Sequence, residues 1–169
     1  MRFLKFAALG AAAILWGGCA GYHLGPVNDE VAGDRSVEIL PFNNRTLQPR
    51  LGDAVTEALR ERFQADATFH LATSGQGDVV VTGVITHYGR QALTYLSSDV
   101  LTANNYKVEI VAHVKAVDRN GKVLLDKNVK GDTLVHVGPD LADAERQAMP
   151  LLADDLAQNV TQLLTEGTW

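Results

Sequence analysis

The residue best placed for covalent chemistry is Cys19, the only cysteine in the chain. It follows Gly17-Gly18 directly, behind an apolar stretch from Phe6 to Trp16 and the basic residues Arg2 and Lys5. A basic, then apolar, then small-residue order is that of a secretory signal, so residues 1–18 are expected to be a signal peptide outside the fold. The apolar run is shorter than the roughly 20 residues a spanning helix needs. One cysteine supports neither a disulfide framework nor a multi-cysteine zinc site. The other reactive residue types form no catalytic pattern. His23, His70, His87, His113 and His136 show no HExxH spacing. His87 and His113, on neighbouring predicted strands, are the pair that could meet at a weak metal site, against the simpler reading of strand surface residues. Ser97-Ser98-Asp99 reads as a polar loop with no nucleophile-elbow context. Gly75 and Gly77 resemble half a phosphate loop, but no Lys-Ser/Thr pair follows. No catalytic residue, metal or cofactor is therefore expected.

The segment Leu15-Trp16-Gly17-Gly18-Cys19 resembles a bacterial lipobox, with Trp16 where an aliphatic residue is usual. The resemblance implies a diacylglycerol thioether on Cys19 and an acylated mature N-terminus. Each buried methylene adds about 0.8 kcal/mol, so several acyl chains make a lasting anchor. Ala20, not Asp, follows the cysteine, which by the sorting pattern of enteric lipoproteins implies the outer membrane.

The elements that position the remaining residues follow from periodicity. Gly21 to Asp34 is rich in turn formers and lacks a period, the pattern of a tether. Ser36 to Phe42 reads as a first strand. Pro49 can open a helix in which Leu51, Ala54, Val55, Ala58, Leu59 and Phe63 recur at three- and four-residue spacing. Val79 to Tyr88 is a second strand. Tyr106 to Asp118 is a third, with Tyr106, Val108, Ile110, Ala112, Val114 and Ala116 on one face and Lys107, Glu109, His113 and Lys115 on the other. Asn120-Gly121 signals a tight hairpin to a fourth strand, Lys122 to Val135, with an irregularity expected at Gly131. Asp140 can cap a last helix whose stripe runs Leu141, Ala144, Ala148, Leu152, Leu156, Val160, Leu163 and Leu164, kinked or split at Pro150 and ended by Gly167. Leu59 and Val108 are expected to be buried together. Leu93 to Asn105 is expected to be a long loop, with Tyr95, Leu96, Val100 and Leu101 its candidate partner contacts; the alternatives are that the two strands extend through it as a long hairpin, or that its apolar residues fold back on the sheet.

The expected fold is α+β: a two-layer sandwich in which two amphipathic helices cover one face of a four-stranded mixed sheet. The expected division is signal peptide 1–18, lipidated tether 19–35 and α+β domain 36–169. The chain of 169 residues, 46% hydrophobic and 21% charged, has the composition of one globular domain. Its net charge of −5 argues against a nucleic-acid partner.

Several places together resemble the LptE family of lipopolysaccharide-assembly lipoproteins. They are Cys19-Ala20-Gly21-Tyr22-His23-Leu24, Ile39 to Thr46 with Pro49, Val81 to Thr86, Tyr106-Lys107-Val108, Asp118 to Leu124, and the closing leucine-rich helix. The resemblance implies a plug for an LptD-type outer-membrane β-barrel translocon. Such a plug helps the barrel assemble and aids lipopolysaccharide insertion into the outer leaflet. On the strand face away from the core, Lys107 and Lys115 are candidate lipopolysaccharide contacts, since cations beside apolar patches suit a phosphate-bearing amphiphile; a merely solvated face is the alternative. The Leu-Pro-Phe strand also resembles outer-membrane lipoproteins that activate a periplasmic enzyme such as a peptidoglycan synthase, although the tether here is short for that group. An enzyme or small-ligand carrier is disfavoured by the lack of convergent polar motifs.

Overall fold

The computed structural model describes residues 33–96, 99–136 and 140–167, with the side chains of residue 96 and of 99–104 excepted. The expected signal peptide, Cys19 and most of the tether lie outside the described residues. In chain order the elements are β1 (Arg35–Ile39), β2 (Asn43–Asn44), α1 (Leu51–Asp66), β3 (Phe69–Leu71), β4 (Val79–Leu96), β5 (Asp99–Asp118), β6 (Val123–His136) and α2 (Leu141–Thr165).

The described strands form one six-stranded sheet in the order β3-β1-β4-β5-β6, with β2 beside β4. The sequence pattern predicts four strands, so the α+β class and the mixed sheet stand and the strand number is corrected. The additions, β2 and β3, hold two and three residues, too few to show a period of two. β1 runs parallel to both β3 and β4, while β4, β5 and β6 form an antiparallel meander. β1 and β2 are two pieces of one extended run along β4. Leu40 N donates to Val81 O and Arg45 N to Ile85 O on either side of Pro41, which has no N–H to give. Phe42 leaves the ladder there and donates its N–H to Thr56 Oγ1 of α1 at 2.9 Å. Its ring then covers Gly83, where a side chain would have no room.

The two helices lie side by side on one face. α1 buries Leu51, Val55, Leu59 and Phe63, and α2 buries Ala148, Leu152, Leu156, Val160 and Leu164. Beneath them are Val37, Ile39, Val79, Val81 and Ile85, and from β5 Val108, Ile110, Ala112, Val114 and Ala116. Leu59 and Val108 both belong to this core, as their spacing predicts. Tyr106 is half-buried, and Leu163 of the predicted stripe is exposed, while Ala153 and Ala157 are buried in the same helix. Across the helix pair Arg62 Nη2 donates to Gln158 Oε1 at 2.7 Å.

Asp140 caps α2, its carboxylate accepting from Ala142 N at 2.8 Å. The helix continues through Pro150 as one element. Pro150 is on the exposed side, away from the packed face of the helix. Pro49 does not occupy the first turn of α1; the cap position is Arg50, left-handed at φ 61°. Gly131 lies in a regular stretch of the β5–β6 ladder, opposite Ile110, so the irregularity expected there is absent. The glycine is required from above. A Cβ on it would come within 2.7 Å of Leu156 N and 2.9 Å of Leu152 O.

Candidate functional site: an open sheet face and a projecting ribbon

Successive strand residues point to opposite faces, so the residues between the core positions of β5 form the face the helices leave open. Lys107, Glu109, Val111, His113 and Lys115 stand there in a row. β6 supplies their cross-strand neighbours Leu134, Asp132, Lys130, Asn128 and Asp126. Most of the polar side chains are paired within the face. Lys107 Nζ meets Asp132 at 3.1 Å, Lys130 Nζ meets Glu109 at 3.4 Å, and His113 Nε2 meets Asp126 at 3.0 Å. Lys115 is exposed, and its ammonium has no ion-pair partner among the described residues. Lys107 and Lys115 thus share a face but not a site. At roughly 3.3 Å rise per residue their backbones are about 26 Å apart, too far to hold one phosphate together.

β4 reaches this face through a change of phase. The β4–β5 register shifts between Ile85 and His87, placing Thr86 out of step, with its hydroxyl donating to Val111 O at 3.2 Å. Below the shift Val79, Val81 and Ile85 point to the helices. Above it Tyr88 and Arg90, paired with Ile110 and Val108, take that side, and His87 joins the open face. Arg90 Nη1 then forms a 2.7 Å ion pair with Glu145 in the first turns of α2. The hydrogen bond and charge of Glu145 raise the Arg90 pKa further. Burial, helped by Glu145, raises that of Tyr88. His87 folds over Gly89 instead of meeting His113. No group of three or more His, Cys, Asp or Glu suited to a metal occurs among the described residues.

The stretch Leu93 to Asn105 is not an open loop; the strands extend through it as the long hairpin that is the alternative reading. β4 continues to Leu96 and β5 starts at Asp99, with Thr94 opposite Asn105, Tyr95 opposite Ala103 and Leu96 opposite Asp99. Thr, Tyr and Val suit a pleated strand, and an antiparallel ladder pairs backbone groups that a loop would leave to water. β6 ends at His136 opposite Asn105, so the hairpin beyond that point is a two-stranded ribbon projecting past the sheet. Asn105 ties its base. Its Nδ2 donates to Thr94 Oγ1 at 2.7 Å, and its Oδ1 contacts His136 Nδ1 at 2.8 Å. On the ribbon Leu93 is 46% and Tyr95 54% exposed. Leu96, Val100 and Leu101 are placed there by backbone register, their side chains being outside the description.

Two features escape the sequence pattern. A groove of about 570 Å³ beside the upper end of β6 is lined by Leu134, Ala144, Ala148 and Leu151. Its walls come from a strand and a helix distant in sequence. At the opposite end of the sheet Asp78 locks the base of β4 to β1. Its Oδ2 accepts from Ser36 N at 2.9 Å and Ser36 Oγ at 2.7 Å, and Oδ1 pairs with Arg119. These hydrogen bonds hold the Asp78 carboxyl below the usual carboxylate range, with Arg119 adding to them. Asp118 is lowered likewise, chiefly by the Lys122 N–H in the turn to β6.

These features define a two-layer α+β domain, with helices on one face, an open sheet on the other and a ribbon extending from it. A family model described as "LptE: Lipopolysaccharide-assembly" matches residues 35–164, and the chain belongs to that family. Its role is therefore lipopolysaccharide assembly in the cell envelope. No curated protein matches the chain. Solved structures share the fold. A protein from Xanthomonas campestris aligns with TM-score 0.56 at 9% identity, covering 86% of this chain and 93% of that one. A minor lipoprotein from Acinetobacter baumannii aligns at 0.52 and 16%, covering 78% and 92%. The PelC dodecamer from Paraburkholderia phytofirmans supplies a chain aligning at 0.51 and 17%, covering 85% and 96%.

Proposed function

We propose that the protein is a non-catalytic outer-membrane lipoprotein, acylated at Cys19, that plugs an LptD-type β-barrel, helps it assemble, and aids the passage of lipopolysaccharide to the outer leaflet. The observation that carries this reading is the family match over residues 35–164, which runs from the start of β1 to the last turn of α2. The geometry is compatible with it. One sheet face is left free for a partner, and the ribbon offers Leu93 and Tyr95 as apolar contacts beyond the domain's own core. Tyrosine and leucine contribute strongly when a partner buries them. On the open face Lys115 offers an unpaired ammonium to a phosphate, while Lys107 must first exchange Asp132 for it.

Crosslinking in intact outer membranes, followed by purification of the protein, tests the proposal. A large β-barrel protein and lipopolysaccharide are expected to co-purify. Recovery of a periplasmic peptidoglycan synthase in place of a barrel would transfer the protein to the activator class. The anchor is tested separately. Cys19→Ala should abolish incorporation of a fatty-acid analogue and release the protein from membranes, and retained labelling would defeat the lipid assignment.

A further inference from the structure

The most exposed large apolar side chain among the described residues is Leu47, at 102% relative exposure. A single exposed leucine is ordinary on a protein surface. What distinguishes Leu47 is how firmly its loop is built and what flanks it. Asn44 Nδ2 donates to Gln48 O at 2.6 Å, and Asn44 Oδ1 accepts from Thr46 N at 2.9 Å and Thr46 Oγ1 at 2.7 Å. Gln48 N closes on Thr46 Oγ1 at 3.3 Å. Arg45 N fixes the loop to Ile85 O of β4, and Pro49 restrains its exit. These hydrogen bonds shape the loop, and Leu47 stands outside the core on it. Arg45 and Arg50 bracket it, both exposed and without an ion-pair partner among the described residues. In a chain of net charge −5, two uncompensated arginines beside this leucine are a local reversal of charge.

We propose that the Arg45–Arg50 loop is a contact for an anionic phospholipid surface, with Leu47 entering the acyl region and both guanidinium groups on lipid phosphates. Guanidinium matches phosphate in a bidentate way, and an apolar residue between cations is the arrangement of interfacial anchors. One leucine and two arginines bind weakly alone. The proposal therefore rests on the lipid anchor at Cys19, which makes the contact intramolecular. At no more than about 3.5 Å per residue, the stretch from Cys19 to Arg35 limits the domain's reach from the bilayer to about 56 Å, which raises the effective concentration of the loop at the surface.

For the test, the full chain is purified from membranes in detergent and returned to vesicles of phosphatidylethanolamine with phosphatidylglycerol, or of phosphatidylcholine alone. Flotation reads the anchor. Emission of Leu47→Trp, taken as the difference from the parent chain, reads the loop on floated protein. In phosphatidylglycerol vesicles the emission should shift to the blue and be quenched about twofold or more by brominated acyl chains. Quenching should fall in phosphatidylcholine and be lost when Arg45→Glu and Arg50→Glu are added. Hydrogen exchange of the unsubstituted chain gives a second reading, with residues 45–50 slowed on phosphatidylglycerol vesicles relative to detergent. Floated protein in which the introduced indole stays unquenched and water-like, with exchange unchanged, overturns the proposal. So does burial of that indole only after outer-membrane proteins are added, which would mark a protein socket. A chain that does not float would defeat the anchor, and this contact with it, and is distinguished from the other failures by the flotation step itself.

Discussion

Gly131 of β6 lies so close under Leu156 of α2 that the helix backbone occupies the space a side chain would need. This contact sets the distance between the layers on the β6 side. Around it the helix reaches over the strand edge: Asp155 Oδ2 accepts from Asp132 N at 2.9 Å, and Asn159 Nδ2 donates to Lys130 O at 2.9 Å. Backbone groups on the free edge of β6 are thereby satisfied by helix side chains at its middle, a way of covering an edge that would otherwise attract another strand.

Gly131→Ala should accordingly destabilise the protein by about 1–3 kcal/mol, the usual cost of overpacking a close contact. Urea unfolding followed by circular dichroism checks it. Unchanged or increased stability would mean that the helix can rise without penalty.

Leu59→Ala should cost about 2–5 kcal/mol, since Leu59 is fully buried between the layers. Lys115→Ala should stay within about 0.5 kcal/mol, because its ammonium has no partner to lose. The same denaturation series compares the two, and a reversed order would put the sheet faces on the wrong sides.

Asp78 predicts an acid-side effect. Its carboxyl is lowered in the folded chain by Ser36 and Arg119, so its contribution is present above its ordinary value of 3.8 and is lost as pH falls through the lower folded value. Asp78→Asn should reduce stability at neutral pH and flatten the decline below about pH 4. Thermal unfolding between neutral pH and pH 3 reads both. A variant whose acid decline parallels the parent's would show that Asp78 does not carry it.

The helices, their inward stripes, the Asp140 cap and the two faces of β5 are legible in the sequence because each is a repeating pattern or a local signal within one segment. Val108, Ile110, Ala112, Val114 and Ala116 alternate without interruption, and burial follows that alternation. β2 and β3 are not legible, being held by the neighbours they pair with and not by a pattern of their own. Gly131 reads as an irregularity because glycine weakens a strand. Its cause, the backbone of Leu156, is distant in sequence. The ribbon reads as a loop because register shifts after Ala92 interrupt the alternation a strand signal relies on. As for the candidate site, the pattern places Lys107 and Lys115 on one face, but it does not show that Asp132 takes up Lys107 or that Lys115 stands apart.

Tyr95 and Leu96 changed together to Ser should leave stability within about 0.5 kcal/mol, since the ribbon extends beyond β6 and Tyr95 is exposed. Barrel co-purification should fall. Loss of folding in this variant would assign these residues to the domain's own packing.

The most direct measurement is photocrosslinking from position 95 in living cells. A photoreactive amino acid replaces Tyr95, and the adduct is resolved from outer membranes and identified by mass spectrometry. An adduct with a large β-barrel protein is the predicted result. Full-length, folded, membrane-attached protein that yields no barrel adduct from position 95, nor from 93, 107 or 115, would contradict the plug assignment.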